Sequence, residues 1–327
     1  MEVLPSSFGR KIEYLRVSVT TRCNLRCVYC RPSDLAAEER RDRFLTFDEM
    51  LRVVRVLARV GLKKVRITGG EPLVRSGVVD FVAAVAKVPG IEDLALSTNG
   101  MLLARYAEEL ARSGLMRVNV SVDTLDPDIF ALMTGGGQLE RVLEGIRAAE
   151  AAGLTPIKIN AVVTRGFNDD QVEELAALTL EHPWSVRFIE YMPIGGDREL
   201  YARRFVPASE VKERLERRFG PLQALEWTGS AAAREFRIAG ARGSIGLITP
   251  MTEHFCAGCN RLRLTADGKV RPCLLTEIET DIMGPLRSGV SDEELLALLG
   301  AASQLKPEHH EALGRWRGER NMVQIGG

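Results

Sequence analysis

Six short segments of this chain alternate polar and apolar residues, a period of two that is typical of β-strands. In the first of them, LRVSVT, Leu15, Val17 and Val19 are apolar, whereas Arg16 and Ser18 are polar. The six predicted strands cover residues 15–20, 63–68, 94–97, 118–122, 157–163 and 186–191.

Helix-like segments lie between these strands. Residues 46–49, Thr-Phe-Asp-Glu, have the form of a capping box and predict a helix that ends at Gly61. Further helices are predicted near residues 77–88, 102–113, 139–152 and 172–180. Alternating strands and helices imply parallel strands joined by right-handed crossovers. We therefore predict an α/β fold, a partial TIM-like barrel of six βα units, with an open doubly wound sheet as the alternative.

One face of every predicted strand is polar, although buried parallel strands are usually apolar on both faces. Arg16, Ser18 and Thr20 share a face of the first strand, because successive side chains point to opposite sides. We predict that such faces line a hydrated lumen that holds polar ligands; the alternative is that they face solvent on a two-layer sheet. The equivalent residues of the other strands are Arg66 and Thr68, Ser97 and Asn99, Asn119, Ser121 and Asp123, Lys158 and Asn160, and Glu190 and Met192.

The chain beyond the sixth strand follows a different pattern. A helix is predicted at residues 207–219 and ends at Gly220, and short strand-like segments follow at residues 225–228, 235–239 and 244–248. A capping box at Ser291 opens a short helix that closes near Gly300. We expect two units, a barrel at residues 1–220 and a smaller α+β C-terminal domain at residues 221–327.

Composition excludes several classes of function. The chain has 327 residues, 45% of them hydrophobic and 27% charged, and a formal net charge of +0. Zero net charge argues against non-specific binding to nucleic acid, which leaves a basic footprint. The N-terminal residues lack the apolar core of a secretory signal, and no apolar run approaches the length of a membrane span. We expect a cytoplasmic protein that binds neither nucleic acid nor membrane.

The six cysteines form two sets of three, each a candidate metal site. In a reducing compartment, clustered cysteines favour metal ligation over disulfides. Zinc and iron–sulfur sites normally take four protein ligands, so each set lacks one ligand and leaves a position open for chemistry. The alternatives are disulfides or structural zinc, with His254 as a fourth ligand of the second set. The first set is Cys23, Cys27 and Cys30, spaced C-x3-C-x2-C, and the second is Cys256, Cys259 and Cys273, spaced C-x2-C-x13-C.

Two further motifs lie beside the cysteines. Residues 69–72, Gly-Gly-Glu-Pro, form a turn after the second strand, where glycine allows a backbone to approach a ligand closely. Arg261 and Arg263 flank Leu262 after the second cysteine set, so both guanidinium groups emerge on one face of a strand. Two such groups are suited to phosphate oxygens, although a solvated charged face is the alternative.

The first cysteine motif, with Tyr29 before its last cysteine, and the Gly-Gly-Glu-Pro turn resemble the signature of the radical S-adenosylmethionine superfamily. The resemblance implies a 4Fe-4S cluster held by three cysteines, whose fourth iron binds S-adenosylmethionine. One electron from the cluster then cleaves the sulfonium and yields a 5′-deoxyadenosyl radical.

A closer resemblance extends over residues 14–327. YLRVSVTTRCNLRCVYC, VRITGGEPL, FIEYMP, FCAGCNRLRLTADGKVRPC and the C-terminal Gly-Gly resemble the MoaA family of molybdenum-cofactor biosynthesis, the GTP 3′,8-cyclases, which are radical lyases. The resemblance implies a second 4Fe-4S cluster whose open iron contacts guanine. It also implies that the radical removes the hydrogen at carbon 3′ of GTP, and that carbon 3′ then attacks carbon 8, the first step toward molybdopterin.

The same resemblance implies roles for individual residues. Cys23, Cys27 and Cys30 hold the first cluster, and Cys256, Cys259 and Cys273 hold the second. Tyr29, Gly70, Ser121 and Met192 contact S-adenosylmethionine. Arg16, Arg66, Ser97, Lys158, Arg261, Leu262 and Arg263 contact GTP, and the family usually has threonine at the position of Ser97. The Gly326-Gly327 tail projects into the active site.

Partners are also implied by the resemblance. They are an electron donor such as flavodoxin or a ferredoxin, cyclic pyranopterin monophosphate synthase as the next enzyme, and a second copy of the chain in a homodimer. Two other interpretations compete: a two-cluster radical enzyme with a different substrate, and a non-catalytic zinc or iron–sulfur protein that binds nucleotides.

Overall fold

Strands and helices alternate along the chain and build one curved sheet. The computed structural model describes residues 4, 6–30, 43–195, 198–227, 229–310 and 320–326. The strands are β1 (Tyr14–Ser18), β2 (Lys64–Thr68), β3 (Asp93–Thr98), β4 (Arg117–Ser121), β5 (Lys158–Val163), β6 (Ser185–Glu190), β7 (Gln223–Ala224), β8 (Arg234–Arg237), β9 (Ser244–Ile248), β10 (Arg261–Leu264), β11 (Lys269–Arg271) and β12 (Thr280–Asp281).

The sheet is parallel at its centre and antiparallel at both ends. Its order is β12-β11-β10-β1-β2-β3-β4-β5-β6-β9-β8-β7. All pairs from β10 through β1 and β6 to β9 are parallel, and the outer pairs are antiparallel. The partial barrel predicted from six strands is confirmed, and β10 and β9 extend it at its two edges.

The helices occur where the hydrophobic pattern and the capping residues place them. Thr46 forms the predicted capping box with Glu49, and Ser291 forms one with Glu294. The helices between strands are confirmed, whereas α4, α7, α9 and α11 below were not predicted. The helices are α1 (Phe47–Ala58), α2 (Val78–Ala86), α3 (Leu103–Arg112), α4 (Pro127–Thr134), α5 (Leu139–Ala151), α6 (Val172–Glu181), α7 (Arg198–Arg204), α8 (Ala208–Phe219), α9 (Met283–Arg287), α10 (Asp292–Gln304) and α11 (Met322–Ile325).

The main hydrophobic core lies between the helices and the apolar face of the sheet. Val17, Ile67, Leu96, Val120 and Ile159 are fully buried there, one from each of the first five strands. Each such side chain contributes about 1.5–3 kcal/mol through its removal from water. Their sequence neighbours, one residue away on the strand, therefore face the opposite side of the sheet.

Residues after 220 supply strands to both edges of the barrel. β9 pairs with β6 at one edge, and β10 pairs with β1 at the other. The predicted strand at 244–248 is confirmed, whereas β7 lies two residues before the segment expected at 225–228, of which residue 228 is outside the described part. The division into units at residue 220 stays a prediction. In the described part of the chain, no helix has the length and apolarity needed to cross a membrane.

Candidate active site

Both cysteine sets line one cavity on the inner face of the sheet. Its volume is about 440 Å³, and small-molecule sites occupy roughly 300–1,000 Å³. Most residues of β1 through β5 that were predicted to form a polar lumen line this cavity, so the prediction is confirmed for them, whereas Ser18, Thr20 and Asp123 are buried outside it. The confirmed residues are Arg16, Arg66, Thr68, Ser97, Asn119, Ser121, Lys158 and Asn160, with Asn99 just beyond β3.

The sixth strand contributes more residues to the cavity than predicted. Val186 and Phe188 are buried in the core, and Arg187 and Ile189 line the cavity. Glu190, the last residue of β6, lines the cavity as predicted, although it is in phase with the buried Val186 and Phe188. It borders the cavity, but its carboxylate accepts hydrogen bonds from the backbone amides of residues 208, 251 and 252.

The loop of the first cysteine set is held by α4. The amides of Arg26 and Val28 donate to the carbonyls of Thr134 and Met133 at 2.8 and 2.9 Å. These two carbonyls lie at the C-terminal end of α4, where they have no partner within the helix. Asp126 caps the start of α4 by accepting from the amides of residues 128 and 129. The unpredicted helix thus fixes the backbone between the cysteines.

Tyr29 ties the same loop to β4. Its hydroxyl donates to Asp123 Oδ2 at 2.7 Å, and Asp123 Oδ1 accepts from the amide of Val162 at 2.9 Å. Burial raises the pKa of Asp123 to about 6, although both hydrogen bonds favour the ionised carboxylate. Asp123 therefore supports the loop rather than lining the cavity. Thr20 is likewise buried outside the cavity, because its carbonyl accepts from the amide of Gly70.

The two glycines of the Gly-Gly-Glu-Pro turn serve a packing role that differs from the predicted approach to a ligand. A Cβ on Gly69 would lie 2.6 Å from Thr20 O, and one on Gly70 would lie 2.4 Å from Arg22 O. The turn therefore packs against the backbone that leads into Cys23. Gly70 also lines the cavity, so this close packing carries the cysteine loop to the cavity wall.

Glu71 links this turn to the end of β3. It is fully buried and accepts hydrogen bonds from Leu73 N, Thr98 Oγ1 and Asn99 N at 3.0, 2.9 and 2.7 Å. Burial raises its pKa to about 7. Asn99 in turn donates from Nδ2 to Asn24 Oδ1 at 2.8 Å, with Cys23 Sγ 3.8 Å away.

The first three thiols require a cationic partner in order to ionise together. Burial raises the pKa of Cys27 well above its usual range, and Cys30, Asp123 and Cys23 raise it further. Thiolates so close to one another are stabilised when they coordinate a metal, which deprotonates a thiol outright. All six cysteines are free thiols, so the disulfide alternative is excluded. The donor set therefore fits a soft metal centre such as an iron–sulfur cluster.

The second cysteine set lies in a basic environment. Burial alone would raise the pKa of Cys259, but Arg261 and Lys306 lower it to about 6. Lys306 Nζ donates to the carbonyls of Arg261 and Pro272 at 2.8 and 2.6 Å, next to Cys259 and Cys273 in the chain. This environment favours the thiolate of Cys259, the form that ligates a metal, whereas burial raises the pKa of Cys256.

His254 does not join the second set. Its side chain is exposed, is absent from the cavity wall, and contacts the carbonyl of Pro250 through Nδ1 at 2.9 Å. Among the described residues, no three His, Cys, Asp or Glu side chains surround a single-ion position. The geometry thus gives no support to His254 as a zinc ligand.

The two cysteine sets lie at opposite ends of the barrel. The chain leaves β1 into the loop of Cys23, whereas it enters β10, which is parallel to β1, from Cys259. Cys273 follows β11, which is antiparallel to β10 and returns to the end where Cys259 lies. β1 is five residues long, a rise of roughly 16 Å. The polar lumen therefore lies between the two sets.

The lumen between the two sets is strongly cationic. Among the described residues, nine Lys and Arg side chains line the cavity against two carboxylates, those of Asp93 and Glu190. Burial, followed by the charges of Arg187 and Arg117, lowers the pKa of Lys158 to about 7. Burial is the larger cause of this depressed pKa, and the contribution of the neighbouring arginines reflects a positive field that an anionic ligand would neutralise. The nine are Arg16, Lys64, Arg66, Arg117, Lys158, Arg187, Arg261, Arg263 and Lys306.

Strand register brings three arginines side by side. Arg16 on β1 is paired with Arg66 on β2 and with Arg263 on β10. Burial and Arg263 lower the pKa of Arg16 well below its usual range. Guanidinium groups are suited to bidentate recognition of phosphate, so this row is the strongest anion-binding feature of the cavity.

Several buried polar atoms of the cavity wall lack a hydrogen-bond partner in the described part of the chain. They include Tyr14 Oη, both amide atoms of Asn119, Asn160 Oδ1 and Arg261 Nη2. Buried polar groups are nearly always satisfied, so such a concentration points to a polar ligand. The residues present therefore fit a nucleotide-like occupant.

The structure brings together nearly all the residues singled out from sequence. Tyr29, Gly70, Ser121 and Met192 line the cavity at the end of the first cysteine set, and Arg261 and Arg263 line it with the basic residues described above. Leu262 is the exception, because alternation along β10 turns its side chain into the core, where it is 0% exposed. The assignment of Leu262 to GTP, as part of the Arg261–Arg263 run, therefore stays a prediction that its buried side chain does not support.

Gly326, the last residue of the C-terminal tail that the structure describes, lies inside the barrel. Arg263 Nη1 donates to Gly326 O at 2.6 Å, and Gly326 packs against Ser18 and Thr68. Its φ of 74° is in the left-handed region that favours glycine. Gly327 lies outside the described residues.

Sequence reasoning missed several basic residues of the cavity wall. Arg187 could have been found, because it alternates with the apolar Val186 and Phe188. Lys64 and Arg117 lie at the first residues of β2 and β4, where alternation gives little signal. Lys306 follows α10 and enters the site only through tertiary packing, which no local pattern records.

Comparison with known proteins agrees with this geometry. Residues 17–179 match the Radical SAM superfamily, and residues 184–312 match Molybdenum Cofactor Synthesis C. Two curated relatives named GTP 3′,8-cyclase, from Pelotomaculum thermopropionicum and Moorella thermoacetica, are 48% identical over 325 and 326 residues. Each alignment covers 99% of this chain and 100% of the relative.

Solved structures show the same fold at low identity. Streptococcus suis SuiB, alone and bound to S-adenosylmethionine, aligns with TM-scores of 0.58 and 0.56 at 18% and 17% identity. The alignments cover 83% and 90% of this chain, and this chain spans 63% and 70% of those chains. The partial-barrel fold is thus shared beyond recognisable sequence similarity.

Proposed function

This chain belongs to the GTP 3′,8-cyclases within the radical S-adenosylmethionine superfamily, and we propose that it converts GTP to (8S)-3′,8-cyclo-7,8-dihydroguanosine 5′-triphosphate. The conversion is the first step of molybdopterin biosynthesis. The observation that carries the proposal is the position of two three-cysteine sets at opposite ends of one cationic cavity. Such a cavity allows a radical source at one end and a bound nucleotide at the other.

Cys23, Cys27 and Cys30 would hold the first 4Fe-4S cluster. With S-adenosylmethionine bound, this cluster supplies a 5′-deoxyadenosyl radical. Gly70, Ser121 and Met192 line the cavity at this end and would contact the S-adenosylmethionine. Tyr29, hydrogen-bonded to Asp123, would keep the cysteine loop in place while the ligand binds.

Cys256, Cys259 and Cys273 would hold the second 4Fe-4S cluster, which binds the guanine base of GTP. Arg261 lies beside Cys259 and over the ring of Phe255 at 4.8 Å, so its guanidinium is fixed near this end. Its unpaired Nη2 would then donate to the base. We propose that this end selects the purine, and that the other end delivers the radical to the ribose.

The triphosphate is assigned to the cationic row of the cavity. Arg16, Arg66 and Arg263 are adjacent through strand register, and Lys158 lies across the lumen on β5. Phosphate oxygens would be held by these side chains, while Ser97 and Asn119 would meet the ribose. Positioning of this kind can contribute about 7–11 kcal/mol to catalysis. Carbon 3′ of the ribose would thereby face the 5′-deoxyadenosyl radical. Carbon 8 of guanine would then lie within reach of carbon 3′.

Anaerobic reconstitution with iron and sulfide tests the proposal. We expect about eight irons per chain, as two four-iron clusters require. Incubation with S-adenosylmethionine, dithionite and GTP should give 5′-deoxyadenosine together with the cyclised nucleotide. Cys23→Ser and Cys256→Ser should each leave about four irons and no cyclised product. Deoxyadenosine without conversion of GTP would instead indicate a radical enzyme with another substrate.

Zinc in place of iron, with no cleavage of S-adenosylmethionine, would support the non-catalytic alternative. Separate metal analysis of the two serine variants shows which set binds which metal, so a mixed result is also interpretable.

The partners follow from the proposed reaction. One electron per cleavage must come from a donor such as flavodoxin or a ferredoxin, and cyclic pyranopterin monophosphate synthase would consume the product. We also propose that the chain is a cytoplasmic lyase, since its clusters need reduced thiols, and that it forms a homodimer as the family resemblance implies. Sedimentation of the reconstituted protein tests the dimer directly.

A further inference from the structure

Arg320 binds two carboxylates just before the C-terminal tail. Its Nη1 and Nη2 donate to Asp267 Oδ1 and Oδ2 at 3.2 and 2.8 Å, and its Nη2 and Nε contact Glu279 at 2.8 Å each. The Arg320 side chain is 21% exposed, so these ion pairs are partly screened from water. Arg271, whose side chain is almost fully buried, also binds Glu279. We call these four residues the tail clamp.

The tail clamp joins the tail to the strands of the second cysteine set. Asp267 lies in the turn between β10 and β11, and Glu279 precedes β12. Asp267 is itself fixed by Thr265 Oγ1, which donates to its Oδ1 at 2.6 Å. β10 begins at Arg261, just after Cys259, and β11 ends at Arg271, just before Cys273. The clamp is therefore attached to the hairpin that also carries Arg261 and Arg263.

The residues after Arg320 have little structure of their own to hold them. Asn321 and Gln324 form a capping box, and α11 is only four residues long. Helices this short are not stable without tertiary contacts. Val323 and Ile325 are buried and hold α11 in place. Apolar contacts are non-directional, however, so they do not fix the direction of the tail. A bidentate guanidinium–carboxylate pair, in contrast, fixes direction.

The far end of the tail reaches the row of cationic residues. Gly326 contacts Ser18 on β1 and Thr68 on β2, and its carbonyl accepts from Arg263. A displaced tail would therefore leave the Arg263 guanidinium without this acceptor. The tail clamp and the Gly326 carbonyl are thus the two fixed points of one short segment.

We propose that Arg320 is a positioning residue that, through Asp267 and Glu279, holds the Gly326-Gly327 tail in the active site. The inference rests on the proposed role of the tail in the cyclisation of GTP. Arg320 touches neither substrate nor cofactor in this account; it acts through the tail and through the orientation of Arg263. We therefore expect loss of the clamp to lower activity through the same segment as loss of the tail, and to a smaller extent.

Hydrogen exchange tests the positioning role without reference to activity. Gln324 N bonds Asn321 O and Gly326 N bonds Met322 O, so both amides report on the tail. In Arg320→Ala, we expect exchange of these amides to be faster by at least roughly tenfold, while amides of β1 are unchanged. Arg214→Ala is the matched control, because Arg214 makes an equally bidentate pair with Glu173 on the outer helices. It should leave tail exchange unchanged.

A double-mutant comparison tests the catalytic consequence. We expect Arg320→Ala to lower GTP conversion by at least roughly tenfold with the iron content unchanged, and Arg320→Lys to fall between it and the parent. In a chain lacking Gly326 and Gly327, Arg320→Ala should cause no further loss, since both changes act through the same segment. Additive losses would overturn the proposal.

The outcomes separate this inference from the proposed function. Fast tail exchange in Arg320→Ala with no GTP conversion by the parent chain would refute the function and retain the clamp. Full conversion by the parent and unchanged tail exchange in Arg320→Ala would refute the clamp alone. If Arg320→Ala loses iron or unfolds, Glu279→Gln is tested in its place. This variant weakens the same contact and should also speed hydrogen exchange of the tail amides.

Discussion

The hydroxyl of Tyr29 lies 2.7 Å from Asp123 Oδ2 and joins the loop of the first cysteine set to the end of β4. Hydrogen bonds to charged groups contribute about 1.5–3 kcal/mol. We therefore expect Tyr29→Phe to lower the free energy of unfolding of the metal-free chain by about 1–2 kcal/mol, measured by urea denaturation. Asp123→Asn and the double variant complete the cycle. Additive effects of the two single changes would show that the bond does not stabilise the loop.

Truncation of Lys158 should weaken the binding of GTP to the protein. Lys158→Ala removes a charge-assisted contact to phosphate, and we expect a loss of affinity of about 10- to 100-fold with both clusters retained. Binding by equilibrium titration and iron analysis check the two halves of the prediction. Unchanged affinity would contradict the assignment of Lys158 to the triphosphate.

Titration of Lys158 should also make the affinity for GTP depend on pH. Because its pKa in the free protein is about 7, Lys158 loses its proton as pH rises through 7, whereas bound phosphate favours the protonated amine. Binding therefore takes up a proton above pH 7, and GTP affinity falls as pH rises. Calorimetry in two buffers of different ionisation enthalpy measures the uptake. Lys158→Ala should abolish most of it, and an equal uptake in the variant would point to another group.

Gly70 is expected to tolerate no side chain. A Cβ there would lie 2.4 Å from Arg22 O, and backbone atoms cannot move aside easily. Gly70→Ala should therefore displace the loop before Cys23 and reduce total iron from about eight toward about four per chain. Gly300→Ala in α10 is the control, because its nearest neighbour would be Leu4 Cδ1 at 3.7 Å. Full iron content in Gly70→Ala would disprove this packing argument.

Much of the fold and site followed from local sequence patterns. Alternation placed Arg16 and Lys158 on the inner face, because successive side chains of a strand point to opposite faces of the sheet. The capping boxes at Thr46 and Ser291 located two helices for an equally local reason. Alternation alone does not explain Glu190, which lines the cavity although it is in phase with the buried Val186 and Phe188.

Features that depend on distant contacts were not predicted. α4 carried readable signals, an Asp126 cap followed by Pro127 and a closing Gly135, but its support of the cysteine loop exists only in the fold. The pairing of β10 with β1 joins segments almost 250 residues apart, and nothing in either segment specifies the partner. Consequently the opposite placement of the two cysteine sets, on which the mechanism depends, required the structure.

Deleting Gly326 and Gly327 should strongly lower product formation without affecting cluster assembly. The deletion removes the acceptor of Arg263 and the contacts to Ser18 and Thr68. Misplacement of about 1 Å near the reacting groups lowers rates roughly 100-fold, so we expect a loss of at least that size. Iron content and product formation are measured on the same sample. Full activity of the shortened chain would remove the tail from the mechanism.

Transfer of hydrogen from GTP tests the central claim most directly, namely that the radical source and the nucleotide meet in one cavity. GTP deuterated at carbon 3′ is incubated anaerobically with the reconstituted chain, S-adenosylmethionine and dithionite. The mass of the 5′-deoxyadenosine formed is then determined by mass spectrometry. The account predicts that one deuterium appears in the 5′-deoxyadenosine formed with GTP. Unlabelled 5′-deoxyadenosine, with deuterium retained in the nucleotide, would contradict it.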